Sequence, residues 1–375
     1  MNRLITIGNG FDIAHGMPTK YSDFIKWYLI KLFRKLATDN FEDEALSAYR
    51  NDDPNKQIDF LIYSKIATEK VKNFKDTDSY LNELLNNKYL PNNYNHIHAF
   101  AFDFKFPFLK DICLFYAEKN WVDIENLFYK KLLALSSIDE KNENRNIAVD
   151  LLNRGMDYLK RKLEEYLFTI TLPEINHKIS NIFNSEICLK YMTKNKKDER
   201  TVIPNQIVFL NFNYTKTISK YLGCINRKTT TTNNLHIHGE LKNNKNPLIF
   251  GFGDEMDDHY KVLEKTNYNG FLDNVKSFGY FETGNYQEVT SFINSDEAFE
   301  VFVMGHSCGL SDRVMLNMIF EHHNCKSIKI FYYDDGKNNN YKTLTQEISR
   351  HFNKKNDMRL KIVPFEDSIP LPQLS

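Results

Sequence analysis

The pattern of apolar and polar positions divides the 375 residues of the chain into three stretches. Residues 3–7 form a short, mostly apolar and partly β-branched run, which predicts a buried strand. The next stretch, up to about residue 195, has apolar positions mainly at helical spacing. Its clearest predicted helices cover residues 22–36, 121–135 and about 147–168.

One aromatic segment fits neither pattern. Its five phenylalanines alternate strictly, which is the period of a strand, whereas the flanking residues have a helical pattern. The sequence leaves open which element contains them: Phe100, Phe102, Phe104, Phe106 and Phe108.

After residue 200, short apolar runs alternate with helical patterns such as those at 313–323 and 341–353. Strands that alternate with helices predict a parallel sheet with helices on both faces. The residues from Thr229 to Asn234 are expected to form a low-complexity loop. The predicted strands lie at 206–212, 247–252, 299–305, 327–333 and 359–364.

The first strand lies far upstream of the others, so the simplest architecture is one α/β domain with an interruption. Residues 1–20 and 200–375 are expected to form the sheet and its helices. Residues 21–199 are expected to form a large helical insertion lobe after the first strand.

Composition and charge narrow the class of protein. A hydrophobic fraction of 42% is enough for a substantial core. Lys and Arg balance Asp and Glu at 49 each, which argues against a dedicated nucleic-acid partner. The opening apolar run is too short for a signal peptide, and no apolar stretch approaches the ~18 residues that span a bilayer. We therefore expect a cytoplasmic protein with no membrane partner. The five cysteines form no CxxC pair, and no metal is expected.

The first candidate for chemistry follows the opening strand. A glycine-rich turn between a strand and a helix lets backbone amides approach a pyrophosphate. A tight turn with no ligand is the alternative, and the sequence alone does not decide between them. The turn contains Gly8, Asn9, Gly10, Phe11 and Asp12, and continues to Gly16 and Pro18.

Two further candidates follow later strands. Asn213 comes after the predicted strand 206–212, where an amide side chain can hold a ribose hydroxyl or position a water. His236 and His238 share one strand face, and His238 before Gly239 suits a general base. An Asn-rich turn and a partly buried structural histidine are the corresponding alternatives.

The fourth candidate is Gly305–Gly309 after strand 299–305, with Asp312 close behind. Small residues there suit a nucleotide, bound through backbone amides and the Ser307 hydroxyl; a second tight turn is the alternative. Because the letters also fit G-x-S-x-G, a serine hydrolase remains open, with Asp334 or Asp335 and His351 as partners.

These segments resemble, in order, the nucleotide-binding motifs of sirtuins. Gly8–Pro18 matches G-A-G-x-S-x-x-x-G-I-P in both glycine spacings and the proline. Phe212–Thr215 loosely matches Q-N-x-D, His238–Gly239 matches H-G, and Gly305–Ser307 matches G-T-S. The resemblance implies a Rossmann-like, sirtuin-like core that binds NAD.

A closer resemblance, to the AbiH family of phage abortive-infection proteins, covers most of the chain. The opening I-G-N-G-F-D-I-A-H-G-M-P-T-K-Y-S-D-F is its longest and most distinctive part. The matching segments are Ile7–Phe24, Trp121–Glu125, Phe212–Thr215, His236–Gly239 and Gly305–Asp312.

The two resemblances together imply an antiphage protein that hydrolyses NAD to nicotinamide and ADP-ribose. Asn213 would position the ribose or the attacking water, and His238 would be the general base. NAD would be the substrate, and a phage component would be the trigger. Assembly into a homo-oligomer is left open. The residues expected to hold the nucleotide are Gly8, Asn9, Gly10, Phe11, Asp12, Gly16, Pro18, Asn213, Gly305, His306, Ser307 and Asp312.

Departures from the sirtuin pattern change what is expected. Asp12 stands where sirtuins have Ser, Thr215 replaces their Asp, and the CxxC zinc module is missing, so protein deacylation is not expected. The role of Glu125 stays open between a residue that reaches the pocket and a surface carboxylate. Two other functions remain: a non-catalytic sensor of a nucleotide signal, and a metal-dependent nuclease or phosphohydrolase that uses Asp12, His236, His238 and His306.

Overall fold

The computed structural model describes residues 1–50, 60–72, 100–114, 120–193, 195, 197–225, 230–253, 255 and 257–374. The chain forms two compact units. The first contains Met1–Thr19, Leu167–Lys265 and Asn274–Ser375, and the second contains Lys20–Tyr166 and Thr266–Asp273. Residues 167–199, which the sequence pattern assigned to the insertion, thus lie in the first unit.

Eleven strands lie in the described part of the chain. In chain order they are β1 (Asn2–Ile7), β2 (Phe41–Glu42), β3 (Leu46–Arg50), β4 (Phe100–Phe104), β5 (Ile187–Cys188), β6 (Thr201–Val202), β7 (Gln206–Asn211), β8 (Thr231–His236), β9 (Phe299–Met304), β10 (Cys325–Tyr332) and β11 (Ile369–Pro370).

A six-stranded, wholly parallel sheet forms the centre of the first unit. Its order is β11-β10-β9-β1-β7-β8. If only the six strands of this sheet are counted, in chain order, their spatial order is 6-5-4-1-2-3. The direction of winding therefore reverses between β1 and β9. The predicted mixed α/β class, the parallel sheet and the pairing of the opening strand with a strand beyond residue 200 are confirmed.

Both faces of this sheet are covered, as a parallel sheet requires. Alternate residues of a strand point to opposite faces, and Leu4 and Ile5 of β1 belong to different apolar clusters. The Leu4 cluster includes helices Asn285–Ile293, Arg313–Phe320 and Tyr341–Ser349. The Ile5 cluster includes helices Asn9–Ala14, His177–Phe183 and Thr217–Tyr221. Other helices of this unit are Leu189–Met192, Tyr260–Glu264, Lys276–Gly279 and Lys355–Lys361.

Three predictions after residue 200 are wrong. The run 247–252 forms no strand; Phe252 makes only an isolated bridge to Val275. The run 359–364 begins inside helix Lys355–Lys361, where Leu360 is exposed. The polar residues predicted as a loop include the first four residues of β8, which are half-buried or exposed at the sheet edge and therefore tolerate polar side chains. Thr229 of that prediction lies outside the described residues.

The second unit is mainly helical. Helices Tyr21–Leu36, Trp121–Ser136 and Glu143–Phe168 confirm the three helical predictions, although the last helix crosses the division into the first unit after Tyr166. Phe60–Lys72 and Pro107–Leu114 are two further helices. Strands β2, β3 and β4 form a small antiparallel sheet.

The alternating phenylalanines lie on a strand, on a helix and, for Phe106, in the bend between them. Phe100, Phe102 and Phe104 lie on β4, whereas Phe108 lies on the helix that begins at Pro107. Proline is favoured in the first turn of a helix, so Pro107 marks the change from strand to helix. In the described part of the chain, no helix is long and apolar enough to cross a membrane.

Candidate functional site

The turn after β1 and the turn after β9 lie against each other. The Gly8 amide donates to Met304 O at 3.2 Å, and the Gly10 amide donates to Gly305 O at 2.8 Å. Because β1 and β9 are neighbours in parallel register, with Ile7 opposite Met304, both turns leave the sheet at its carboxyl edge. Two of the predicted segments are therefore brought together by the backbone itself.

Glycine is required at this contact. A Cβ on Gly8 would lie 2.5 Å from the Cα of His306, and a Cβ on Gly305 would lie 2.0 Å from the Phe11 nitrogen. Gly305 also has φ +70, the left-handed region that favours glycine. These glycines thus serve the packing of two turns, and the amides of Gly8 and Gly10 are used within the chain. Contact with a pyrophosphate stays a prediction for them.

Asp12 is buried and linked to the segment after β7. Its two carboxylate oxygens accept hydrogen bonds from Thr215 Oγ1 at 2.5 Å and Thr217 Oγ1 at 2.7 Å. Burial raises the pKa of Asp12 to about 6, although bonds from Thr215, Thr217 and Asn213 oppose the rise. Asp12 therefore titrates near neutral pH, which is uncommon for a carboxylic acid.

Asn213 lies between the first turn and β8. Its side-chain amide donates to Gly8 O at 3.0 Å, and its carbonyl accepts from His236 Nδ1 at 3.0 Å. The other nitrogen of His236 is held by Asn234 Nδ2 at 3.1 Å. Both nitrogens of His236 are thus occupied, so this histidine fixes the Asn213 loop.

His238 belongs to a buried polar cluster that also contains Asp312 and Lys276. His238 Nε2 lies 3.1 Å from Asp312 Oδ1, and Lys276 Nζ lies 2.9 Å from the same oxygen. Burial would raise the pKa of Asp312, but the Lys276 ammonium and His238 hold it well below its usual value. Asp312 is therefore ionised.

His238 is uncharged at neutral pH. Burial lowers the pKa of its imidazole to about 4, and the Lys276 ammonium adds to this decrease. Since Asp312 is an acceptor, the ring proton is on Nε2, and the Nδ1 lone pair is left for other chemistry. A carboxylate that fixes the tautomer of a neutral histidine is the geometry of a general base, although a pKa of about 4 makes this imidazole a weak one.

His306 and Phe212 complete the cluster. Cys308 N donates to His306 Nδ1 at 3.0 Å, so the ring proton is on Nε2, 3.5 Å from Asp312 Oδ2. The Phe212 ring packs against both histidines, with centroid distances of 5.0 Å to His238 and 4.1 Å to His306. Phe212 follows β7, so residues after β7, β8 and β9 meet here.

The remaining predicted binding residues differ in how far solvent reaches them. Phe11 is buried against Phe183 and Tyr221, and thus belongs to the core. Asn9 Nδ2 donates to Thr19 O at 3.0 Å. The exposed members of the predicted set are Gly16, Pro18 and Ser307.

The serine-hydrolase partners do not assemble around Ser307. His351 Nε2 bonds Cys308 O at 2.8 Å. Asp334 and Asp335 accept hydrogen bonds from backbone amides of their own loop. His238 and His306 both face Asp312.

Of the residues of the metal-dependent alternative, only His238 and His306 lie together in the described part of the chain. Asp12 bonds to two threonines, His236 bonds to Asn213, and His238 and His306 bond to Asp312. Within the described ranges, no group of three or more His, Cys, Asp or Glu residues is placed to hold a metal ion.

Two residues of the cluster, Lys276 and Tyr280, were not predicted from the sequence. The Tyr280 hydroxyl lies 3.4 Å from His238 Nε2. Neither residue belongs to a motif that marks it. Asp312 contacts His238 and Lys276, and its predicted contact with a nucleotide stays a prediction. In the second unit Glu125 is buried, so it is not a surface carboxylate.

Fold and site together define a parallel α/β protein with a buried His–Asp–Lys cluster at the carboxyl edge of its sheet. The family described as "Bacteriophage abortive infection AbiH" matches residues 4–334, which is most of the chain. The chain therefore belongs to the AbiH family, and its function lies in phage abortive infection. A comparison with curated proteins found no match.

Proposed function

We propose that this AbiH protein hydrolyses NAD, or a close nucleotide relative, to nicotinamide and ADP-ribose on a sirtuin-like, Rossmann-like core. The observation that carries the proposal is the contact of His238 Nε2 with Asp312 Oδ1, 3.1 Å apart, at the carboxyl edge of the sheet. A fixed, neutral imidazole beside a carboxylate is suited to accept a proton from water or a ribose hydroxyl.

The winding of the sheet supports a dinucleotide as substrate. Its strand order, read from the other edge as 3-2-1-4-5-6, is that of doubly wound dinucleotide-binding folds. In such folds the ligand binds where the winding reverses, which here lies between β1 and β9. The turns at Gly8–Asp12 and Gly305–Asp312 leave the sheet at this point.

The proposed step is attack of water on C1′ of the nicotinamide ribose. The new C–O bond forms as the C–N bond to nicotinamide breaks, and nicotinamide leaves with the bonding electrons. The proton from water passes to Nδ1 of His238, and the imidazolium is stabilised by Asp312. The Asn213 side chain donates from Nδ2 to Gly8 O. Its side-chain oxygen would orient the water or a ribose hydroxyl.

In the cell, such a reaction would deplete NAD when a phage is sensed, which is one way in which abortive infection can stop phage growth. A phage-derived trigger, a cytoplasmic location and a homo-oligomeric assembly stay predictions. The resting protein would have to be restrained, since constitutive NAD loss would harm the host.

The test is release of free nicotinamide from NAD by the purified full-length protein, followed by chromatography. His238→Ala and Asn213→Ala are expected to lower the rate by about 10²–10⁴-fold, the usual effect of removing a positioned base. His259→Ala is a matched control, because His259 is exposed and lies outside the cluster. Binding of NAD without release of nicotinamide would instead favour the nucleotide sensor.

A further inference from the structure

Lys276 is a buried lysine that faces the candidate base. Its side chain is about 1% exposed, and its Nζ contacts Asp312 Oδ1 at 2.9 Å and Ser311 Oγ at 3.4 Å. Because Asp312 Oδ1 also faces His238 Nε2, the lysine and the histidine share one carboxylate oxygen.

A dedicated backbone arrangement places Lys276 there. Its amide donates to Phe252 O at 2.9 Å, beside the bridge between Phe252 and Val275. A Cβ on Gly251 would lie 1.9 Å from Asn274 O, and a Cβ on Gly253 would lie 2.7 Å from Ser311 O. The two glycines thus let three backbone segments come close together, which explains an apolar run that forms no strand.

The polar and titratable side chains around His238 come from three segments of the chain. Asp312 and His306 lie after β9, Lys276 begins helix Lys276–Gly279, and the Tyr280 hydroxyl follows that helix. A buried carboxylate needs a nearby positive charge. Either Lys276 or a protonated His238 can supply it, and Lys276 lies slightly closer to Asp312.

We propose that Lys276 is a positioning residue: it is the permanent counter-ion of Asp312, and it thereby leaves His238 uncharged, with Nδ1 free to act as a base. Without Lys276, a proton on His238 would be the nearest charge that could balance Asp312, so His238 would be protonated, and blocked as a base, up to a higher pH. The catalytic meaning of this role rests on the proposed NAD hydrolysis, whereas the charge state of His238 can be measured without any turnover.

The experiment is an NMR titration of the full-length protein with 13C-labelled histidine rings, in which the His238 signal is assigned by its loss in His238→Asn. In Lys276→Met the pKa of His238 is expected to rise by at least about one unit, which is about tenfold in proton affinity. Lys276→Arg keeps the charge and is expected to restore the wild-type titration. Ser311→Ala removes a neighbour of Lys276 without changing charge, and should leave the titration unchanged.

A second neutral variant keeps the proposal testable if Lys276→Met fails to fold. Lys276→Gln retains a hydrogen-bond donor toward Asp312, and the same rise is expected in it. An unchanged His238 pKa in a folded neutral variant, or a rise of equal size in Lys276→Arg, would overturn the proposal.

Activity provides the second readout. The acid limb of the kcat/KM profile for nicotinamide release should move to higher pH in the neutral variants by the same amount as the His238 titration. If the wild-type protein releases no nicotinamide, the proposed reaction fails, while the NMR result still decides the role of Lys276.

Discussion

The pH dependence of stability offers a test of the pKa shifts of two buried groups at the carboxyl edge of the sheet, Asp12 and His238. Asp12 is almost wholly buried, and burial raises its pKa from the model-compound 3.8 to about 6. The folded state thus binds a proton at Asp12 more tightly than the unfolded state. Stability from this group is greatest at low pH and is lost as pH rises from about 4 to about 6.

The magnitude follows from the pKa difference. A difference of about two, at about 1.36 kcal/mol per pKa unit, amounts to about 3 kcal/mol in full. About 2 kcal/mol of this falls between pH 7.5 and pH 4.5, because unfolded Asp12 still titrates below that range.

His238 acts in the opposite direction. Its pKa is lowered from 6.5 to about 4, so the unfolded state binds its proton more tightly. Stability from this group is fully present above pH 6.5 and is lost as pH falls toward 4, again by about 3 kcal/mol. In the wild-type protein these two contributions largely cancel over the acid range.

Substitution separates them. Relative to wild type, Asp12→Asn lacks the Asp12 contribution, so it should lose about 2 kcal/mol of stability on acidification from pH 7.5 to pH 4.5. His238→Asn should instead gain about 2 kcal/mol over the same interval. The assay is native-state amide exchange of β1, which lies in the central sheet; comparison with wild type at each pH cancels the intrinsic exchange rate.

If the free energy of unfolding has the same pH dependence in wild type and Asp12→Asn, the pKa of Asp12 is the same in the folded and unfolded states. That result would contradict the raised pKa of Asp12. Asn is a suitable replacement because its amide can still bond Thr215 and Thr217, as the carboxylate does.

Two other substitutions test the glycine contact and the exposed serine. Gly305→Ala is expected to destabilise the protein by more than ~3 kcal/mol, since a Cβ would meet the Phe11 nitrogen at φ +70. Gly336→Ala, with φ +82 but open space around it, should cost only about 1 kcal/mol; equal urea midpoints for the two would contradict the packing role. Ser307→Ala should raise the KM for NAD by no more than about tenfold, the value of one hydroxyl contact, whereas complete loss of turnover would point to a serine hydrolase.

The parts of the fold that the sequence could predict are those where burial determines the residue pattern. Strands β1 and β9 are buried along their whole length, so their apolar runs are unambiguous. Strand β8 lies at the sheet edge, and its four polar residues do not show the pattern of a buried strand. The strand predicted at 359–364 is wrong for the opposite reason: Leu360 is apolar but lies exposed on a helix.

For the site, the sequence could indicate the turns but not their interactions. Gly8 and Gly305 are recognisable as turn glycines, but their contact with each other depends on which strands are neighbours. Lys276 reaches Asp312 because the segments at 251–253 and 274–276 are hydrogen-bonded to each other. This pairing is a tertiary contact, and no local sequence pattern predicts it. Asp312 follows a recognisable glycine turn, but its contacts with His238 and Lys276 could not be predicted from that turn.

Hydrolysis of NAD at His238 can be tested by mass spectrometry of the products formed from NAD in water labelled with 18O. We expect free nicotinamide and ADP-ribose that carries the labelled oxygen on the ribose carbon that bore nicotinamide, with both products formed about 10²–10⁴-fold more slowly by His238→Ala. Cleavage into AMP and nicotinamide mononucleotide would contradict it in favour of a phosphohydrolase, and full turnover by His238→Ala would contradict the role of the His238–Asp312 pair.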